Sequence, residues 1–490
     1  MAGFKSLATD TAIYGLSSIV GRFLNYLLVP LYSYKIAASS GGYGVITNLY
    51  AYTALLLVIL TYGMETTFFR FANKGEDRPE KVFSTALTMV GTTSLLFVAL
   101  VLSFLQPISS AMGYADHPSY IGTMAVVVAL DAFQALLFSY LRYQRKALKF
   151  AALKLLFIGL NIALNLVYFL LLPSLYASHP ECVASLYDPQ VGVGYVFYIN
   201  LFCTAFVTFF FARELKVLGE GFDRGLCRRM LGYTWPLLIL GVAGILNQTA
   251  DKMLFPLLYP GEDAQVQLGI YGAAVKIAMI MAMITQAFRY AYEPFIFGQS
   301  KDRKQGAETA AAGMKYFVIF TLLAFLAVMA YMNILRYIIH RDYWEGLRVV
   351  PIVMAAEMMM GIYFNLSFWY KLTDKTIWGA VFSITGCLVL LTVNILFVPK
   401  FSYMACAWGG FAGYGVAMVL SYWVGQKKAP VPYPMGRMAL YVLLAGVLLA
   451  GIMLSNAKLG FWAAMGVNTL LIAIYGLFLL RKEQLLSSGR

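Results

Sequence analysis

The stretch FSTALTMVGTTSLLFVALVLSFLQ, residues 83–106, decides the fold. It contains no charged side chain. At about 1.5 Å per residue a helix of this length reaches about 36 Å, enough to cross a hydrocarbon core of about 30 Å. Runs of the same kind recur along the chain, at about 11–36, 45–69, 118–141, 150–173, 192–213, 232–257, 267–292, 313–337, 347–370, 377–399, 402–424, 434–455 and 459–480. That makes about 14 spans in 490 residues. Backbone in lipid must satisfy its own hydrogen bonds, and repeated long apolar runs do so as helices. The expected fold class is an all-α polytopic membrane protein.

Composition agrees. The chain is 61% hydrophobic and 16% aromatic but only 12% charged, with a mean hydropathy of +0.72. Soluble domains carry about 25% charged residues, so half of the usual solvating charge is missing and water-soluble enzyme classes are excluded. The net charge of +14 reflects topology rather than nucleic acid, because cytoplasmic loops of membrane proteins collect Lys and Arg. Alternate loops carry it: Arg70 to Lys81, Arg142 to Lys149, Arg213 to Arg229, Lys301 to Lys304, Lys371 and Lys375, Lys427 and Lys428, and Arg481 to Arg490. The loops 107–117, 174–191 and 258–266 have neither Lys nor Arg. Both termini are therefore expected in the cytoplasm. One outward loop dissents, 338–346, with Arg341 inside it and Arg336 and Arg348 at its edges.

The first run follows Lys5 and Asp10 without a small-residue cleavage site and reads as a retained helix. Five cysteines show no paired spacing, so neither a disulfide framework nor a zinc site is indicated. GGYG at 41–44 follows a helix and lacks the Lys-Ser/Thr of a phosphate loop.

An offset of 226 maps Asn25 to Asp251, Pro30 to Pro256, Asp131 to Glu357, Arg145 to Lys371, Lys149 to Lys375 and Pro173 to Pro399. LLVPL at 27–31 then aligns with MLFPL at 253–257, and Gly44 reaches Gly269 with a one-residue slip. The shift is six helices, an even number, so the repeats keep one orientation and are related by an axis along the membrane normal. The expected organisation is an N-terminal lobe of six helices (1–222), a C-terminal lobe of six (223–425), and a linker with two further helices (426–490).

RFLNYLLVPLYSYKI (22–36), GMETTFFRF (63–71), LGIYGAAVKIAMIMAMITQAFRYAYEPF (268–295) and NILFVPKF (394–401) give the chain its resemblance to a known family. It resembles the polysaccharide-biosynthesis membrane proteins, the O-antigen and capsule repeat-unit flippases of the multidrug/oligosaccharidyl-lipid/polysaccharide exporter superfamily. The resemblance spans nearly the whole chain. The eleventh run departs from it, with one Asn394 where the family often has two spaced asparagines. The resemblance implies a two-lobed transporter in a bacterial cytoplasmic membrane, alternating between inward- and outward-open forms. Its implied substrate is an oligosaccharide on a polyprenyl pyrophosphate, with lipopolysaccharide O-antigen as the type case, and a polysaccharide polymerase is a natural partner.

Ionisable side chains within spans need a reason, because each costs at least about 2.5–3.5 kcal/mol at mid-helix. Arg22 sits near the midplane of the first run with Asn25 one turn on, and its guanidinium suits phosphate oxygens. The structural alternative is an ion pair to a neighbouring helix. Lys276 lies about 12 Å into the eighth run, where a substrate contact and outward snorkelling are equally open. Arg70 and Arg289, the latter four residues before Glu293, are read as interface anchors or as a cytoplasmic mouth for an anionic headgroup. Asp131 and Glu357 are candidates for proton or cation coupling, or for charge balance with Arg22 and Lys276. Asp251 is expected to face the inter-lobe space and, being about 100° around the helix from Lys252, not to pair with it. No single aromatic residue can be nominated for sugar contact. With no nucleotide-binding domain, the energy source is an ion gradient (Na⁺ or H⁺) or the substrate gradient, and no cofactor is expected.

Three function classes follow. A flippase for lipid-linked oligosaccharide leads. A cation-coupled multidrug antiporter of the same fold should favour acidic cavities, against Arg22 and Lys276. A membrane polymerase or ligase lacks a catalytic loop domain, since His117, His179 and His340 fall in outward loops or at helix ends.

Overall fold

A computed structural model describes residues 20–21, 23–299, 303–372, 375 and 377–483, with side chains at all of these except 290–291, 293–299, 303–305 and 371–372. Every regular element among them is a helix. Twelve described helices are long and apolar enough to span a membrane, and each overlies one of the runs read from the sequence. The sixth run is instead a bent pair, Gly194–Phe209 with Glu214–Glu220 at 65°, which would make a thirteenth span. The start of the first run, residues 11–19, and Arg22 lie outside the described residues, as do Lys5 and Asp10 before it.

The chain divides into two compact units, 1–256 with 263–269, and 257–262 with 270–490. The helix Arg224–Leu258 packs with the first unit, whereas the sequence repeat starts a second lobe at residue 223. The packing shows why. The helices Gly42–Thr61 and Met64–Lys74 are separated by Tyr62 and Gly63, both left-handed at φ 34° and 74°. Such a break frees carbonyls that lipid cannot satisfy. Thr234 of the Arg224–Leu258 helix donates its hydroxyl to the Tyr62 carbonyl at 2.7 Å and meets the Thr67 hydroxyl at 2.9 Å. A Cβ on Gly63 would stand 2.8 Å from Leu237 Cβ, so glycine serves both the turn and the close approach.

The first unit's core joins Met64, Phe68, Phe83, Leu87, Leu136, Leu141, Phe211 and Met230, all buried. Phe83 and Tyr140 stack with centroids 4.0 Å apart. GGYG finds its use here as a helix entry, with Gly41 at φ 68°. A Cβ on Gly44 would lie 1.9 Å from the Gln265 carbonyl oxygen, and Gly269, its partner in the repeat, packs back on Gly44.

In the second unit, helices Ile377–Phe401 and Tyr403–Lys428 are joined by Ser402 alone, at φ 52°. They close on each other through Gly386 and Gly413, where either Cβ would come within 2.8 Å of the other's carbonyl. The last two helices, Met435–Lys458 and Phe461–Lys482, pack on Arg303–Ala330 around Met314, Leu322, Tyr441, Ile452 and Tyr475. Asn468 donates to the Ala330 carbonyl at 3.0 Å, and Lys315, Tyr441 and Glu483 close the other end of the hairpin.

Candidate functional site

Each unit holds its own constellation of polar or aromatic groups. In the first, helix Pro118–Tyr143 carries Asp131 toward Gly194–Phe209 and Ala147–Leu166. The Asp131 carboxylate faces the Lys154 ammonium and the Thr204 hydroxyl. Lys154 rests on the Phe138 ring, 4.0 Å from its centroid. From Thr204 a polar chain continues: its hydroxyl meets Asn200 Oδ1 at 3.3 Å, and Asn200 donates to the Tyr50 hydroxyl at 2.7 Å. Gln134, one turn after Asp131, donates to the Thr204 carbonyl at 2.7 Å and to the Thr208 hydroxyl at 2.8 Å. Asp131 and Lys154 are only half-buried. The carboxylate thus combines a nearby ammonium with a chain of hydroxyls and amides.

Ion pairs brace one end of this unit. Glu65 accepts from Ser139 and Arg142, each at 2.9 Å. Buried Glu214 receives Lys149 at 2.7 Å and Lys146 at 3.6 Å, and Arg229 holds Asp77 at 2.9 Å. Asp223 lies outside the spans, and the Leu226 amide bonded to it keeps its carboxyl below the usual range.

In the second unit, three helices shape a narrow pocket of about 10 Å³. Its walls are Phe288 and Tyr292, Phe317, and Phe364 and Phe368. Arg289 is its cation, with the guanidinium carbon 4.8 Å from the Phe364 centroid. Thr285 and Asn365 complete the lining. Glycines admit the rings: a Cβ on Gly361 would stand 2.2 Å from Phe317, and one on Gly313 2.0 Å from the Tyr292 hydroxyl. That hydroxyl donates to the Thr309 carbonyl at 2.8 Å, fixing the ring. Glu357 precedes Gly361 and Asn365 by one and two turns, so it shares their helix face. A guanidinium among aromatic faces can bind a phosphate while the rings stack on sugars.

The residues singled out from the sequence are distributed as follows. Arg22 and the side chain of Glu293 lie outside the described residues. Asn25 is exposed. Lys276 is half-buried among the buried Val275, Ile277 and Ala278. Arg70 is exposed and lies 4.0 Å over the Tyr233 ring, an interfacial cation–π contact. Asp251 is buried and, against expectation, takes Lys252 at 2.9 Å. The backbone directions do diverge, but the long lysine stem folds back and also donates to the Gln248 carbonyl at 3.1 Å. Sequence reading missed Lys154. It stands only five residues beyond Lys149 and was absorbed into the end of a run, although it is the cation that meets Asp131.

The sequence profile described as "Polysaccharide biosynthesis protein" matches residues 7–296, more than half of the chain. The chain belongs to this family. Three solved structures share its fold. "Lipid II flippase MurJ, inward closed conformation" is 13% identical, covers 95% of this chain and 98% of its own, and superposes with a TM-score of 0.70. "Inward-facing conformation of a multidrug resistance MATE family transporter of the MOP superfamily" is 13% identical, covers 83% and 94%, and gives 0.65. A point mutant of a Vibrio cholerae MATE transporter is 13% identical, covers 86% and 96%, and gives 0.57. No curated protein matches the chain by sequence. The fold is the one these solved structures share, a polytopic all-helical membrane architecture.

Proposed function

We propose that the protein is a flippase that carries polyprenyl-pyrophosphate-linked oligosaccharide repeat units across the bacterial cytoplasmic membrane by alternating access, with both termini inside. The observation that carries this reading is the pocket around Arg289: one guanidinium, five aromatic rings, a threonine and an asparagine. Its charge suits an anion and its rings suit sugars. A cationic drug would meet the wrong sign. Arg289 is assigned to the phosphate, with Arg22, Asn25, Lys276 and Arg70 as further contacts along the route. Asp131, with the Lys154 charge nearby, is assigned to coupling by H⁺ or Na⁺, with Glu357, its counterpart in the sequence repeat, and Asp251, the counterpart of Asn25, as further acids. O-antigen repeat units are the proposed cargo, a polysaccharide polymerase is the partner that receives them, and no chemical step is assigned to the chain.

The second reading, a cation-coupled multidrug antiporter, is supported by the fold shared with the multidrug transporters. Complementation of a flippase-deficient strain separates the two. Glycan export restored by the wild type and lost in a well-expressed Arg289→Ala protein supports the flippase. Drug resistance without glycan export supports the antiporter.

A further inference from the structure

The outward loop that broke the charge pattern is a built feature. Arg336 opens the short turn Arg336–Ile338. Its guanidinium carbon lies 4.4 Å from the Trp344 centroid and 5.3 Å from that of Tyr337. The two rings meet edge to face, 5.3 Å apart at 83°. The Trp344 indole N–H donates to the Arg336 carbonyl at 2.9 Å and to that of Ile339 at 3.2 Å, which ties the ring to the backbone that bears the cation.

The loop is pinned from below. Ile339, Tyr343 and Val349 are fully buried. Gly346 packs so closely that a Cβ would stand 2.5 Å from the Ile270 carbonyl oxygen. The neighbouring arginines are already matched, Arg341 beside Asp342 and Arg348 on Glu345. Among the described residues no carboxylate pairs with Arg336, and its buried Nε has no acceptor. An arginine outside the cytoplasm runs against the usual loop bias, and one kept without a counter-ion at a membrane interface needs an external anion.

We propose that Arg336, Tyr337 and Trp344 form a binding site for the phosphate of a lipid headgroup at the outer leaflet. The aromatic pair holds the guanidinium in one orientation before any ligand arrives, so little ordering is lost on binding. The planar donors meet phosphate oxygens, and the indole and phenol rings sit where headgroups begin. The outward placement rests on the topology proposed above; the anion binding does not. Two lipids share this chemistry, the polyprenyl diphosphate of the departing cargo and an anionic phospholipid.

The test uses the full chain in phosphatidylcholine nanodiscs carrying Arg289→Gln, so that the pocket assigned above cannot supply the signal. Short-chain polyprenyl diphosphate is titrated in one arm, and phosphatidylglycerol is doped into the disc in the other, with bound lipid counted by native mass spectrometry. Further substitution by Arg336→Gln should weaken binding of at least one probe about tenfold. Arg336→Lys should recover part of it, and Arg341→Gln should change it less than about twofold. Loss confined to the diphosphate assigns the site to the cargo, and loss confined to phosphatidylglycerol assigns it to the bulk lipid. Unchanged binding of both probes by the Arg336→Gln protein overturns the proposal. So does a parent that binds neither probe while Arg336→Gln lowers its melting temperature, the behaviour of a purely structural clamp.

Discussion

The two units answer the problem of charge in a membrane differently. In the first, Asp131 meets an internal cation, Lys154, and a string of hydroxyl and amide groups through Thr204, Asn200 and Tyr50. In the second, Arg289 sits among aromatic rings that offer it a cation–π face in a pocket with an open mouth. Protonating Asp131 leaves the Lys154 ammonium as the unmatched charge, so proton uptake changes the net charge of the site. On the proposed function, Asp131 senses the gradient and Arg289 holds the phosphate of the cargo.

The largest expected effect is at Arg289. Arg289→Ala should lower glycan export about a hundredfold at normal expression, the scale of losing a charge-assisted phosphate contact of about 3 kcal/mol. Arg289→Lys should keep part of the activity. Arg22→Ala is expected to be as severe, with expression checked by immunoblot. If Arg22→Ala exports normally, that residue belongs to helix packing. Next comes Asp131→Asn, which should reduce export about tenfold at neutral pH and flatten its dependence on the H⁺ or Na⁺ gradient. A merely structural acid would lower protein yield and leave the gradient dependence of the surviving protein intact.

Lys154→Met sharpens the comparison further. Removing the ammonium takes the nearest cation away from Asp131, so the pH profile of export should move. An unmoved profile would mean that Lys154 does not act on the acid. The smallest effect is expected at Glu483, outside both constellations. Burial pushes its carboxyl up, but bonds from Lys315 and Tyr441 and the nearby positive charge outweigh this and hold it below the usual range. The resulting stability is present above the ordinary glutamate pKa and fades as pH falls through the lowered folded value. Glu483→Gln should lower the melting temperature by a few degrees at neutral pH and much less in acid below the glutamate range, with export retained.

Much of the fold was legible because lipid leaves a chain few options: the 83–106 run could only be a spanning helix. The breaks were less so. Nothing local marks Tyr62 as left-handed, and what stabilises it is Thr234, far along the chain. Most of Arg224–Leu258 groups with the first unit, and the contacts at Tyr62 and Gly63 are among those that join them. Of the site, ionisable residues were legible and their partners were not. Asp131 stood out as a charge in an apolar run, but Lys154, at the start of the next run beside the loop lysines, did not. Arg289 was visible as an arginine near a helix end. Its cage was not, since the rings come from helices that sequence order separates, and membrane proteins are rich in aromatics everywhere.

The central claim is tested most directly in proteoliposomes holding the purified protein, a fluorescent polyprenyl-diphosphate oligosaccharide and an imposed H⁺ or Na⁺ gradient. Leaflet exchange is read by quenching of the accessible label. Transfer by the wild type, loss with Arg289→Ala and gradient independence with Asp131→Asn are the predicted results. A wild-type protein that leaves the lipid in place and extrudes a cationic dye instead would contradict the account.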